Sequence, residues 1–402
     1  MKLLLINSIY KPYVGGGAEI VFEDHVQGFK ERGYDVEVLS LAKDGIFKIE
    51  EIDGVKVYRI PVKNLYWPDP QSKPNGLIRK IWHIFDMYNF LMRKSVSKVL
   101  KMASPDIVVC HNIPGFSVSL WSAANRLNIP IVQVLHDLSF LCPGSNMFKG
   151  ETPCKGQCLV CKCMRLFHPL LSKNVNVVVG VSQFVINRFE RYDYFPNAKK
   201  YVINNYRNLL APKIKEYNND TFNVGYIGVL SKVKGLELLI NQFKEIKEQN
   251  ITLKIAGKGI SIEYEAYLKD LASGDNRIQF MGYVKQTEFF SKIDALVVPS
   301  LWPDTFPTVA IESCACSVPV LASKEGGLPE IVHHKKNGLL FDVFAPNAIK
   351  DNILTLYNDK ELYDNLKSNC QTEVNELFDK RRVFDQYKKI FDELIIQYEN
   401  CN

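Results

Sequence analysis

"IPIVQVLHD", Ile129 to Asp137, is an almost unbroken apolar run that stops at a histidine and an aspartate. A strand with one wet face alternates apolar and polar residues, whereas a continuous β-branched run reads as a strand covered on both faces, as in a parallel sheet. "PDIVVCHN" (105–112) and "VNVVVGVS" (175–182) have the same character. Toward the N-terminus, "KLLLINS" (2–8), "DVEVLSL" (35–41) and "VKVYRIPV" (55–62) are further strands. The segment "AEIVFEDHVQGFKERG" (18–33) between the first two is a helix closed by Gly33. Strands alternating with helices build βαβ units and a doubly wound α/β domain.

The pattern restarts near Tyr206. "FNVGYIGVL", "TLKIAGKG", "IQFMGYV", "ALVVPS", "VPVLAS" and "GLLF" read as six strands between residues 222 and 341, again separated by helical segments. A chain of 402 residues exceeds what one hydrophobic core ordinarily holds. The expected division is an N-terminal domain over 1–205, a second domain over 206–380, and a periodic C-terminal helix over 381–402 packing back on the first. The hinge falls near 205–218, with "APKIKEYNND" (211–220) as linker. Ligands of open α/β sheets bind beyond the carboxyl ends of the strands, so two such domains facing one another would make a deep cleft.

Composition narrows the classes. Apolar residues at 47% and charged residues at 23% describe soluble globular material. The net charge, 50 − 44 = +6, is too small and too dispersed for a dedicated nucleic-acid binder. The apolar run of the N-terminus, Leu3 to Ile6, is short for a signal peptide. No stretch reaches the 18 or so apolar residues of a membrane span. The expected location is cytoplasmic, extending to the inner face of the membrane, with cysteines reduced.

Several motifs follow strands. "VGGGAEI" (14–20) places Gly16 and Gly17 at a helix start, where backbone N–H groups favour an anion. His111 and His136 end their strands; Asp137 is positioned to orient His136. "GYIGVLSKVKG" (225–235) offers its glycines and Lys234 to a phosphate, with a solvated loop lysine as the alternative, and "IAGKGI" offers Gly257 and Gly259. In "KEGGLPEIV", Gly326 and Gly327 precede Pro329 and Glu330 at a helix start. "LWPDTFPTVAIES" (301–313) carries Asp304 on a loop and Glu312 in the helix that follows, eight positions on. Carboxylates accept hydrogen bonds from the vicinal diols of sugars, and Pro307 suits a first helical turn that leaves the N–H groups of Thr308 and Val309 to an anion.

This ordered set resembles the GT4 glycosyltransferases, retaining enzymes of the GT-B fold that use nucleotide-activated sugars. "GGGAE", "HD" at 136–137, "VSQF" at 181–184, "GVLSKVKG", "AGKG", "FMGYV" and the long segment from 298 to 341 carry the resemblance across nearly the whole chain. It implies that Glu312 binds the ribose of the donor and Asp304 its sugar, with Phe306, Pro307, Thr308 and Val309 meeting sugar and diphosphate. Lys234, helped by Lys232, would clamp the diphosphate. Val229 stands where the family usually has an arginine. Gly16, Gly17, Gly228, Gly257 and Tyr283 would line the donor site, and His136 would touch the donor sugar. The implied donor is a nucleotide sugar, a UDP-sugar by family frequency, with no obligatory metal. The implied acceptor is a saccharide or lipid-linked saccharide in surface polysaccharide assembly. Within enzymes the rivals are a nucleotide-sugar epimerase and a phosphorylase; outside them, a catalytically weak sugar-nucleotide-binding subunit.

Two features stand outside that set. "CPGSNMFKGETPCKGQCLVCKC" (142–163) places Cys142, Cys154, Cys158, Cys161 and Cys163 together. The spacing admits a structural Zn²⁺, with free thiols or a disulfide as alternatives. Residues 62–101 mix aromatics with Lys and Arg, which suits either a peripheral membrane contact or a core helix with a basic solvated face.

Overall fold

The computed structural model describes residues 1–13, 16–68, 74–150, 152–206 and 221–399. The linker "APKIKEYNND", most of the hinge, and Asp69 and Pro70 lie outside the described residues. The chain divides into two compact units: Met1–Ser145 with Gly156–Asn204 and Arg381–Asn402, and Asn146–Lys155 with Asn205–Lys380.

Among the described residues, the first unit contains β1 (Lys2–Ile6), β2 (Asp35–Ala42), β3 (Lys48–Ile52), β4 (Val55–Pro61), β5 (Ile107–Cys110) and β6 (Ile131–Leu135). The chain continues with a short hairpin, β7 (Phe148–Lys149) and β8 (Thr152–Pro153), then β9 (Val177–Gly180) and β10 (Lys199–Val202). The large sheet runs β10-β9-β6-β5-β1-β2-β4-β3, parallel throughout except for the edge pairing of β3 on β4. Its central strands are buried end to end, which accounts for their unbroken apolar sequence. The order turns at β1, which pairs with β2 on one side and β5 on the other. Such a switch point opens a crevice at the strand carboxyl ends.

The second unit repeats the plan with β11 (Phe222–Ile227), β12 (Ile251–Ala256), β13 (Ile278–Gly282), β14 (Ala295–Val298), β15 (Val320–Ser323) and β16 (Gly338–Phe341). The order is β13-β12-β11-β14-β15-β16, all parallel. Its switch point lies between β11 and β14. All six strands expected in this half are present. In the first half, the edge strands β3 and β10 escaped sequence reading, because "KIEEI" and "KKYV" are short, charged and half wet.

The helices used below are α1 (Gly17–Glu31), α2 (Gly76–Met87), α3 (Phe90–Ala103), α4 (Leu159–Met164), α5 (His168–Ser172), α6 (Thr308–Ala315) and α7 (Lys380–Glu399). The C-terminal helix α7 packs within the first unit, on α1. Phe384, Tyr387 and Phe391 set ring edges against His25, Phe29 and Tyr34 at 5.0–5.8 Å. A Cβ on Gly28 would come 1.9 Å from the Phe384 ring, so helix α1 admits α7 only because that position is bare. Arg32 pairs with Asp385 at the rim, and the Asn176 amide donates to Tyr398 Oη at 2.9 Å. Phe391 is fully buried here. Phe391→Ala should therefore destabilise the first unit by about 3–5 kcal/mol, read as a lower urea midpoint; an unchanged midpoint would show that α7 is not integral to it.

Candidate active site

In the second unit the loops following β11, β14 and β15 interlock around Asp304. Beyond β11 the chain makes a single 3₁₀ turn, Lys232–Lys234. Beyond β14, the Leu301 N–H donates to the Val233 carbonyl at 2.9 Å, which seats the second loop on the first. Lys234 Nζ then donates to Asp304 Oδ2 and lies 5.2 Å over the Trp302 ring. The Asp304 carbonyl accepts the Gly327 N–H at 2.7 Å, tying in the loop after β15. Gly326 has φ +65°, and a Cβ there would lie 2.1 Å from the Asp304 carbonyl oxygen. Its lack of a side chain is required twice, for the backbone angle and for the approach. The side chain of Asp304 keeps 13% of its exposure and that of Lys234 keeps 27%, so the pair is shielded yet reachable.

Pro307 caps α6 with φ −76° and ψ 97°, and the opening N–H groups of α6 have no intrahelical acceptor. Glu312, in the second turn, is 3% exposed. Burying a carboxylate that deeply is costly unless hydrogen bonds compensate it. Thr305 and Phe306 are also buried and fix the path between the two acids.

The glycines act differently from expectation. The Gly228 N–H donates to the Ala256 carbonyl at 3.1 Å, and the Gly257 N–H to the Gly282 carbonyl at 2.8 Å. A Cβ on Gly257, at φ +136°, would lie 1.8 Å from the Gly228 carbonyl oxygen. These residues let two loops touch and spend their N–H groups within the fold, as Gly327 does. Lys232 is exposed, Tyr283 is 78% exposed and Val229 is 55% exposed. The tight part of this site is therefore Lys234, Asp304 and Glu312.

In the first unit, Gly16 is the N-cap of α1, with extended backbone at φ 179°. No atom lies within 4 Å of a Cβ built on Gly17. Close to the switch point between β1 and β5, three histidines cluster. His111 Nδ1 and His136 Nε2 are 2.8 Å apart with rings nearly parallel. His25, from α1, sets its ring 5.1 Å from His111. All three are buried. Burial pushes His136 down to about 4. Burial, then His136, pushes His25 down to about 3. His111 is lowered well below its usual value by burial and then by its two neighbours. Neutral rings share one proton in that 2.8 Å contact. His111 Nε2 is buried without a partner, and an orphaned N–H is rarer than an orphaned acceptor. His111 therefore carries its proton on Nδ1 and donates to His136 Nε2, which leaves the proton of His136 on Nδ1. Asp137, expected to orient His136, spends its carboxylate on the Ser139 N–H at 2.8 Å. His25 escaped sequence reading; its signal was a histidine amid the buried face Val21, Phe22, Val26 and Phe29.

The cysteine cluster does not form one ligand set. Cys161 lies against Cys142 and Cys158, and its thiol is pushed up by burial first and then by those neighbours. Cys163 is two residues further round the single-turn helix α4, on the opposite side, and is exposed. Cys154 belongs to the segment of the second unit. Among the described residues, no three His, Cys, Asp or Glu side chains gather to hold a metal ion. The structural Zn²⁺ weighed for Cys142, Cys154, Cys158, Cys161 and Cys163 lacks a site for that reason.

The chain thus pairs two doubly wound α/β units, the second carrying acids and a lysine at its strand carboxyl ends. The profile described as "Glycosyltransferase Family 4" matches residues 15–209, and that described as "Glycosyl transferases group 1" matches residues 210–373. An uncharacterised 42.6 kDa protein in the cps region of Klebsiella pneumoniae is 28% identical over 393 residues, covering 97% of this chain and all of the relative. Sucrose-phosphate synthase from Thermosynechococcus elongatus superposes with a TM-score of 0.74 at 18% identity, over 98% of this chain and 99% of that one. Anabaena HepE in complex with UDP does so at 0.70 and 21%, over 98% of this chain and all of that one. The chain belongs to the GT4 glycosyltransferases, and its fold is GT-B.

Two outcomes follow. Gly326→Ala should destabilise the second unit by more than about 1 kcal/mol, because φ there is positive and the Asp304 carbonyl blocks the methyl; an unaltered urea midpoint would refute the interlock. The buried histidines bind protons more readily when unfolded, so stability should fall as pH drops from about 6.5 toward 4. Each contributes about 1.4 kcal/mol per pH unit across its window. Urea midpoints at several pH values check this, and His25→Phe should flatten the slope.

Proposed function

We propose that the protein transfers a sugar, with retention of configuration, from a nucleotide-diphosphate sugar to a saccharide or lipid-linked acceptor. A UDP-sugar is the donor favoured, as HepE was solved with UDP. Surface polysaccharide assembly is the setting favoured, as the Klebsiella relative lies in a cps region. The observation that carries the reading is the Lys234–Asp304 pair at the second unit's switch point, with Glu312 buried in the helix that follows Asp304.

In this reading Glu312 accepts hydrogen bonds from the ribose diol. Lys234 and the α6 N-terminus, Phe306 to Val309, receive the diphosphate, with Lys232 as a further cation. As the bond from the anomeric carbon to the phosphate oxygen breaks, negative charge grows on the leaving nucleoside diphosphate, and these groups stabilise it. Asp304 accepts from a donor-sugar hydroxyl while orienting Lys234. Gly16 and Gly17 meet the β-phosphate, and His136 meets the donor sugar. The acceptor oxygen bonds to the anomeric carbon on the face the phosphate leaves, and the departing phosphate takes the acceptor's proton, which preserves configuration and requires no metal.

Val229 gives the second reading its ground. It is an exposed aliphatic residue at the position where the family usually carries an arginine, so a sugar-nucleotide-binding subunit with little turnover is the alternative. Donor hydrolysis and transfer across a panel of nucleotide sugars separate the two. Turnover by wild type, with kcat/KM reduced on the order of a hundredfold in Lys234→Ala and Asp304→Ala, supports the transferase. Binding without turnover in all three supports the subunit, and absence of both sinks each.

A further inference from the structure

Helix α2 is amphipathic with its broader apolar face turned outward. Its inward residues are Trp82 and Asp86. Leu77, Ile78, Ile81, Ile84 and Phe85 recur at helical spacing and are exposed, Leu77 at 66%. Single exposed apolar residues are ordinary, but a contiguous stripe of this size marks an interaction surface.

The stripe extends onto neighbouring elements of the same unit. Helix α2 contacts α4, whose Leu159 is 77% exposed and whose Val160 is also exposed. The Tyr88 ring, at the end of α2, lies 6.3 Å from that of Phe167. Phe167 is itself exposed, with Leu166 and Leu170 beside it. Phe90 and Leu91 at the start of α3 are exposed as well.

The charge around this face has one sign. Residues 74–101 contain a single acid, Asp86, and it is buried. Residues 156–173 contain none. Exposed Arg79, Lys80, Lys94, Lys162 and Lys173 surround the apolar residues. Arg93 and Lys94 lie 4.4 and 4.8 Å over the Phe90 ring, so two cations ride on an exposed aromatic, as snorkelling side chains do at an interface. A second copy of the chain would set cations against cations, because a two-fold interface uses the same patch twice. An anionic lipid surface meets both requirements: apolar depth for the stripe and negative charge for its rim.

We propose that the α2, α4 and α5 face of the first unit docks on an anionic membrane surface. The acceptor-side unit would thereby rest on the bilayer with Leu77, Ile81, Ile84 and Phe85 inserted at headgroup level. The surface is independent of the donor reading, since vesicle binding is measured without any nucleotide sugar.

The test is co-sedimentation of the full chain with phosphatidylcholine vesicles, with and without phosphatidylglycerol, at low and physiological salt. Wild type should bind the anionic vesicles, more weakly as salt rises, and bind the neutral ones little. Ile84→Asp with Phe85→Asp should weaken binding on the order of a hundredfold, and Arg79→Glu with Lys80→Glu by about tenfold. Both sites are exposed, so thermal midpoints should stay at the wild-type value. No wild-type binding at low salt overturns the proposal. So does binding that survives Ile84→Asp with Phe85→Asp. A concentration-dependent dimer dissolved by the same change, without vesicle binding, assigns the face to a second copy and overturns it too.

Discussion

Asp304 sits where three loops must meet. Its carboxylate holds Lys234 from the loop after β11, and its carbonyl holds Gly327 from the loop after β15. The residue itself belongs to the loop after β14. Those three strands include the two that flank the switch point, so one residue with two hydrogen-bonding ends fixes the rim of the second unit. The constraint is steric as well as polar, since Gly326 passes the Asp304 backbone closer than any Cβ allows. With the rim fixed, α6 starts at Pro307 in one orientation and carries Glu312 into a buried position. A rim built this way is preorganised by contacts between its loops.

The two units divide the electrostatics. The second supplies a cation, two carboxylates and a helix N-terminus, all suited to a polyanion bearing diols. The first supplies three neutral imidazoles clustered near its switch point, His111 stacked on His136 and His25 edge-on to His111. Burial keeps them uncharged. His136 holds one tautomer only because His111 fills its other nitrogen, which makes His111 a positioning residue for His136.

Much of this was legible in the sequence, for identifiable reasons. Strands buried on both faces print unbroken runs such as "VVVG", and all the central strands were found by them. Edge strands β3 and β10 carry no such signal, because one side of each is wet. Asp304, Lys234 and Glu312 were legible as types at strand ends, but their contact was not. Nothing in "GVLSKVKG" or "LWPDTFPT" states that Lys234 reaches Asp304 across 70 positions. The loop contacts of the glycines were not legible for a similar reason: a bare position permits approach by a ligand or by another loop equally, and Gly257 and Gly326 each lie against another loop. The cysteines misled because spacing along the chain does not say which way a single-turn helix faces.

Hydrogen exchange of the amides, measured with and without UDP, bears most directly on the central claim. A nucleoside diphosphate held by Lys234, α6 and Glu312 should slow exchange in peptides covering 228–235 and 302–313, and Lys234→Ala should remove that protection. Protection confined to other segments, or none at saturating UDP, ADP and GDP, would contradict it.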